Sequence, residues 1–179
     1  MKFAAFFRNL NLGRPPAPDR TTFEGAFLAA GATTAASFLT NGTLVFEAAT
    51  PVKAKKVLAA ACAQLEAASQ FGEPAFLRPL DYLAGLVRRD PFADVDPATV
   101  YERCITFLDA RFALADGLPM ASAKQDVRAI EYTAGEMLSV SLKMGSSPGS
   151  PNAFAERSFG LPASTRAWNT VCRLVKKHA

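Results

Sequence analysis

Apolar residues along this chain fall into short runs with strand character and longer runs with helical spacing. Lys2 to Arg8 (KFAAFFR) is a short apolar run with three phenylalanines, and predicts a strand buried on both faces. Gly13 and three prolines make Asn9 to Asp19 a loop. Thr21 and Glu24 have capping-box spacing, which predicts a helix with Phe23, Phe27 and Leu28 on one face and Gly31 as its stop. Phe38-Leu39-Thr40 and Thr43-Leu44-Val45-Phe46 flank Asn41-Gly42, the pattern of a hairpin with a two-residue turn. Thr50-Pro51 then opens a second helix, with Val57, Ala61, Leu65 and Ala68 on one face and Phe71-Gly72 at its end. Phe76-Leu77 reads as a closing strand. The order strand, helix, hairpin, helix, strand predicts an α+β protein with a ferredoxin-like β-α-β-β-α-β N-terminal half.

The second half is less regular. Leu80 to Arg88 reads as a short helix stopped by Asp90-Pro91, since a residue before proline avoids helical angles. Val100 to Leu108 reads as a strand. Asp126 to Thr133 and Glu136 to Met144 pair as a second hairpin around Ala134-Gly135. Its return strand alternates, with Leu138, Val140, Leu142 and Met144 inward and Ser139, Ser141 and Lys143 outward. Gly145 to Asn152 (GSSPGSPN) has the composition of a flexible loop. A short helix over Ala153 to Phe159 and a final one over about Thr165 to Lys177 follow, the latter packing through Trp168, Val171, Cys172 and Val175. The reading is thus a ferredoxin-like half over 1–89 and a second, smaller α+β half over 90–179 with a packed C-terminal helix, the two forming either separate halves or one compact unit.

Composition narrows the chemistry. The chain has 179 residues, half of them hydrophobic, a net charge of +4, three cysteines and one histidine. A lone His178 near the end of the sequence argues against a histidine metal site and against any triad that needs an imidazole. Cys62, Cys104 and Cys172 form no CxxC pair, and each lies among apolar neighbours as a small buried hydrophobe would. The apolar run at the start is broken by Arg8 and Asn9, too early for a signal sequence, and no stretch approaches the roughly 20 apolar residues of a membrane helix. A cytoplasmic protein with no metal, no cofactor and no membrane partner is expected.

Three segments together resemble a bacterial family catalogued as domain of unknown function 1697. Its first strand ends in a sequence of the type Leu-Arg-Gly-Ile-Asn-Val-Gly-Gly, matched by Phe7-Arg8-Asn9-Leu10-Asn11-Leu12-Gly13-Arg14. Its hairpin, of the type Tyr-Ile-Gln-Ser-Gly-Asn-Val-Val-Phe, is matched by Phe38-Leu39-Thr40-Asn41-Gly42-Thr43-Leu44-Val45-Phe46. Its last helix opens Thr-Arg-Asn-Trp-Asn-Thr-Val, matched by Thr165-Arg166-Ala167-Trp168-Asn169-Thr170-Val171. The resemblance implies an α+β protein whose biochemical role is unassigned. This chain departs from the pattern at Asn9, Arg14, Thr40, Asn41, Thr43 and Ala167 and keeps Arg8, Asn11, Arg166, Asn169 and Thr170.

Two arginines with amide donors at a helix N-terminus suit a phosphate or carboxylate, so Arg8, Asn11, Asn41, Arg166, Asn169 and Thr170 are the expected ligand-binding residues. The ordinary alternative pairs Arg8 with an acidic neighbour and lets Asn11 and Thr165 cap backbone groups. Nucleic acid is a further partner class, carried by Lys53, Lys55 and Lys56, by the cations of the last helix, and by Phe3, Phe6 and Phe7 if exposed. The GSSPGSPN loop lacks the Gly-Lys-Ser/Thr ending of a P-loop, and Asp94, Asp96, Asp109 and Asp116 stand in no catalytic constellation. No spacing identifies a catalytic residue. Three functions stay open: a non-catalytic module binding an anionic ligand, which the polar residues favour, an enzyme acting on a small anionic substrate, and an oligomerising or partner-binding scaffold.

Overall fold

A computed structural model describes residues 1–144 and 146–179. The chain is an α+β protein that divides into two compact units, Met1–Gly85 with Leu174–Ala179, and Leu86–Arg173. The last six residues of the chain are grouped with the first unit.

The first unit runs β1 (Lys2–Phe7), α1 (Arg20–Ala29), β2 (Ala35–Phe38), β3 (Thr43–Glu47), α2 (Pro51–Ser69) and β4 (Ala75–Pro79). The sheet order is β2-β3-β1-β4 with every neighbour antiparallel, so β1 is central. Phe3, Ala5 and Phe7 share one face, where they meet Leu44 and Phe46 of β3, Phe23 and Phe27 of α1, and Val57, Ala61 and Leu65 of α2. Aromatic rings lock this layer, Phe7 edge-on to Phe23 at 5.1 Å and Phe27 tilted on Phe46 at 5.1 Å. Ala4 and Phe6, on the other face of β1, are also fully buried, as the unbroken apolar run predicts.

Three local expectations are corrected here. Helix α1 is capped by Asp19, whose carboxylate accepts from the Thr22 amide at 2.8 Å, so Thr21 is already helical. Glu24 leaves the capping box and accepts instead from the Ser37 amide and hydroxyl at 2.8 and 2.6 Å, tying α1 to β2, while Leu28 is exposed. The hairpin pairs Phe38 with Thr43, so its loop has four residues, with Leu39 at φ +61° and Gly42 at φ +69°. Wider spacing lets the loop serve a second strand, because the Gly42 carbonyl accepts from the Phe7 amide and the Thr40 carbonyl from Leu12. Helix α2 has the expected Thr50 cap and Pro51 start but ends at Ser69, with left-handed Gln70 closing it and Ala68 exposed.

Helix α3 (Leu80–Arg89) leads from the first unit into the second, which contains β5 (Glu102–Leu108), β6 (Val127–Tyr132), β7 (Glu136–Ser141), β8 (Lys143–Met144), β9 (Ser147–Pro148), α4 (Pro151–Phe159), β10 (Ala163–Ala167) and the start of α5 (Trp168–His178). Its main sheet has the order β10-β5-β7-β6. Strand β7 is therefore central and buried along its whole length, so Ser139 and Ser141 are inside rather than outward-facing, and Met144, beyond the strand end, is exposed. The segment read as a flexible loop is ordered by two devices. Ser147–Pro148 pairs with Lys143–Met144, and the Ser150 hydroxyl caps α4; Gly145 of that segment lies outside the described residues. The last helix starts at Trp168, not Thr165. Thr165 and Arg166 extend β10 and pair with Thr106 and Ile105 because the polar Thr165 hydroxyl meets Thr106 at 2.8 Å across the ladder. Trp168, Val171 and Leu174 are the buried positions of α5, while Cys172 and Val175 are half-buried. Trp168 packs on Phe92 at 5.3 Å.

Candidate functional site

Where β1 ends, the chain cannot continue as strand. The Arg8 amide donates to the Pro74 carbonyl, and Asn9 turns the backbone at φ +52°. Backbone hydrogen bonds then fold residues 9–17 into a compact loop, the amides of Leu12, Gly13, Arg14 and Ala17 donating to the carbonyls of Thr40, Pro18, Asn11 and Arg14 respectively. Opposite stands the segment between α2 and β4, Gln70 to Glu73, brought there by the pairing of Phe7 with Ala75. Phe71 is buried and packs near Phe7, with ring centroids 6.4 Å apart, giving one wall an apolar foot.

Between the two segments lies a half-open cleft of about 480 Å³ lined by Asn9, Asn11, Arg14 and Pro15 on one side and Gln70 and Glu73 on the other. Glu73 is already engaged: one carboxylate oxygen accepts from the Arg8 guanidinium at 2.7 Å, the other from the Asn9 side-chain amide at 3.2 Å. The side chains of Asn11, Arg14 and Gln70 have no partner among the described residues. The cleft thus presents a guanidinium and two carboxamides beside a carboxylate that is tied down. No Ser, Thr, Cys, Lys, Tyr or His lines it, so besides the Glu73 carboxylate its polar side chains are donors suited to an anion.

The six residues expected to bind a ligand are distributed over both units. Asn11 lines the cleft, and Arg8 stands behind it, holding Glu73. Asn41, in the hairpin loop, accepts from the Thr43 hydroxyl at 2.9 Å and does not line the cleft. In the second unit, Arg166 is buried on β10, where its guanidinium donates to the Ser164 hydroxyl at 2.9 Å and the Thr165 carbonyl at 2.8 Å. Burial pushes its pKa down to about 10. Because Arg166 sits on a strand, it does not share a helix N-terminus with the amide donors expected there. Asn169 is exposed on α5 and borders a shallow recess of about 190 Å³ with Tyr101 and Arg103; Thr170 is half-buried.

Asn9, Arg14, Gln70 and Glu73 were absent from the expected site. Asn9 and Arg14 stand where the resembled family has glycine, and that substitution is the signal that marks them. Gln70 and Glu73 have no local signal, since only the β1–β4 pairing puts them opposite the loop.

Other candidates resolve into structural roles. Phe3, Phe6 and Phe7 are buried, so none is presented for base stacking. Asp96 and Asp109 close local turns, accepting from the Ala98 and Arg111 amides. Burial pushes the Cys62 thiol up to about 11 and Cys104 to about 12, with Glu66 and Glu102 adding to the respective shifts. Among the described residues there is no group of His, Cys, Asp and Glu able to hold a metal, and no helix long and apolar enough to cross a membrane.

Comparison with known proteins gives two findings. A family described as "Protein of unknown function (DUF1697)" matches residues 1–137, which include the whole first-strand exit and both cleft walls. Among solved structures, the conserved bacterial protein SP0830 from Streptococcus pneumoniae superimposes with a TM-score of 0.66 at 12% identity, covering 98% of this chain and 97% of that one. At that identity the likeness concerns the fold alone. No curated protein matches the chain.

Proposed function

Since the chain belongs to the family of proteins of unknown function DUF1697, its role must be argued from its own residues, and we propose that it is a non-catalytic module binding a small anionic ligand in the cleft at the end of β1. One observation carries this reading. Asn11, Arg14 and Gln70 line a cleft with no side-chain partner among the described residues, while the carboxylate beside them is ion-paired with Arg8 and accepts a hydrogen bond from Asn9. A carboxylate or phosphate entering there accepts charge-assisted bonds from Arg14 and neutral bonds from the two carboxamides. Glu73, with both oxygens occupied, is poorly placed to take a proton from a substrate. Three free cysteines support a reducing, cytoplasmic setting for this activity.

The test is a titration of the full chain with inorganic phosphate and with malonate, followed by amide chemical shifts. Shifts concentrated in residues 9–17 and 70–73, and affinity lowered roughly tenfold by Arg14→Ala, support the reading. Equal binding by wild type and Arg14→Ala overturns it.

A further inference from the structure

A second and larger cleft lies in the second unit, about 890 Å³, lined by residues of the 119–126 segment, by Met144 of β8, by β9 and by residues of α4. Its lining holds two cations and one carboxylate. Lys124 and Arg157 both line it, both are exposed, and neither has an ion-pair or hydrogen-bond partner among the described residues. The hydroxyls of Ser146, Ser147 and Ser158 are likewise uncommitted there. Against these stands one carboxylate, Asp126, which accepts from the Ser122 hydroxyl.

The walls are held in place before any ligand arrives. Lys124 rides on a tight turn in which the Ser122 hydroxyl accepts from the Asp126 and Val127 amides, with Gln125 left-handed at φ +57°. The opposite wall is stapled to that turn: the Leu142 amide donates to the Asp126 carbonyl, Gly149 donates to Leu142, and the Ser141 hydroxyl donates to Gly149. At Gly149 the approach is so close that a Cβ would collide with the Asp126 carbonyl oxygen. Arg157 projects from the regular helix α4. The backbone that carries both cations is thus already ordered, and binding costs only the rotamer freedom of the two side chains. Apart from the Ser150 helix cap, the rest of the lining is apolar, with Met144, which is exposed, and Phe154, which is buried, the largest such side chains.

We propose that this cleft is a binding site for a phosphate ester with an apolar body of nucleoside size, Lys124 and Arg157 holding the phosphate and the exposed Met144 packing on the body. Its volume is in the range of pockets that enclose whole small molecules, far beyond what a bare ion fills. Part of its lining, from Met144 onward, lies outside the residues that match the family, so the site stands independently of the cleft at the end of β1.

The experiment is calorimetric titration of the full chain with AMP, inorganic phosphate and adenosine, using wild type, the double variant Lys124→Ala/Arg157→Ala, Arg14→Ala from the first cleft, and Lys143→Ala as a nearby cation outside the lining. AMP binding weakened tenfold or more in the double variant and within twofold of wild type in the other two supports the site, as does AMP binding tighter than either phosphate or adenosine. Amide shifts on wild type supply a readout that needs no variant, and perturbations at 122–126, 146–148 and 150–158 are expected. No AMP binding to wild type, undiminished binding in the double variant, or equal loss in Lys143→Ala overturns the proposal. Loss in Arg14→Ala alone assigns the ligand to the first cleft and also overturns it.

Discussion

Arg8 and Glu73 are 65 residues apart in the chain and 2.7 Å apart in the structure, one at the end of β1, the other just before β4. Each side chain keeps roughly a quarter to a third of its surface in solvent. Their pairing is the ordinary structural role weighed for Arg8 from the sequence, and it also shapes the cleft, since it pins the carboxylate that an incoming anion would otherwise meet free.

Removing that carboxylate is the sharpest probe of the cleft. Glu73→Gln leaves the cleft with one more net positive charge, and affinity for inorganic phosphate is expected to rise about 3- to 10-fold, as one charge a few ångströms away in partly solvated surroundings does. Loss of a partly exposed ion pair lowers stability by about 1 kcal/mol or less. Calorimetric titration and thermal unfolding check the two numbers, and weaker phosphate binding in the variant refutes the anionic assignment.

Gly42 is the point where the hairpin loop touches the β1 exit. At φ +69° it occupies a conformation that disfavours side chains, and a Cβ would stand 2.7 Å from the Leu10 Cβ and 3.2 Å from that of Phe7. Gly42→Ala is expected to destabilise by about 2–4 kcal/mol, combining backbone strain with overpacking. Gly25, inside α1 with open space around it, supplies the contrast: Gly25→Ala is expected to stabilise by about 0.5–1 kcal/mol. Denaturant unfolding of both variants measures the pair.

On β7, the Ser139 hydroxyl is fully buried opposite Cys104 and has no hydrogen-bond partner among the described residues. Ser139→Ala removes an unsatisfied polar atom at almost no change in shape, and a gain of about 1 kcal/mol is expected. A loss on chemical denaturation would mean that the hydroxyl is satisfied in solution.

The thiols predict an alkaline limit to stability. Cys62 and Cys104 are pushed up to about 11 and about 12, above the ordinary value of 9.0, so the folded protein holds these protons more tightly than the unfolded chain does. Their contribution is intact below pH 9 and lost as pH rises toward 12. Denaturant midpoints measured from pH 8 to 11 should fall, and fall less in Cys104→Ala. At pH 8 a thiol reagent should leave Cys104 unmodified in the native protein and count all three cysteines in guanidinium.

Much of the architecture was determined by the chain's own local chemistry. The apolar run at Phe3 to Phe7 has no polar face, so it has to be a strand covered on both sides. Thr50-Pro51 starts a helix whatever follows, because the cap and the proline ring act on their own backbone. Tertiary structure decided what depends on partners distant in sequence. Ser139 and Ser141 look outward by alternation yet are inside, because β7 has neighbours on both edges and both its faces are buried. Thr165 and Arg166 have helical neighbours yet join a strand, because β5 offers an open ladder edge. The cleft follows the same rule: Asn11 and Arg14 lie in one continuous loop, but Gln70 and Glu73 reach it only through the antiparallel pairing of β1 with β4. Local bonding is written in adjacent residues, whereas a cavity needs walls that are far apart in the chain, and sheet pairing alone brings those together.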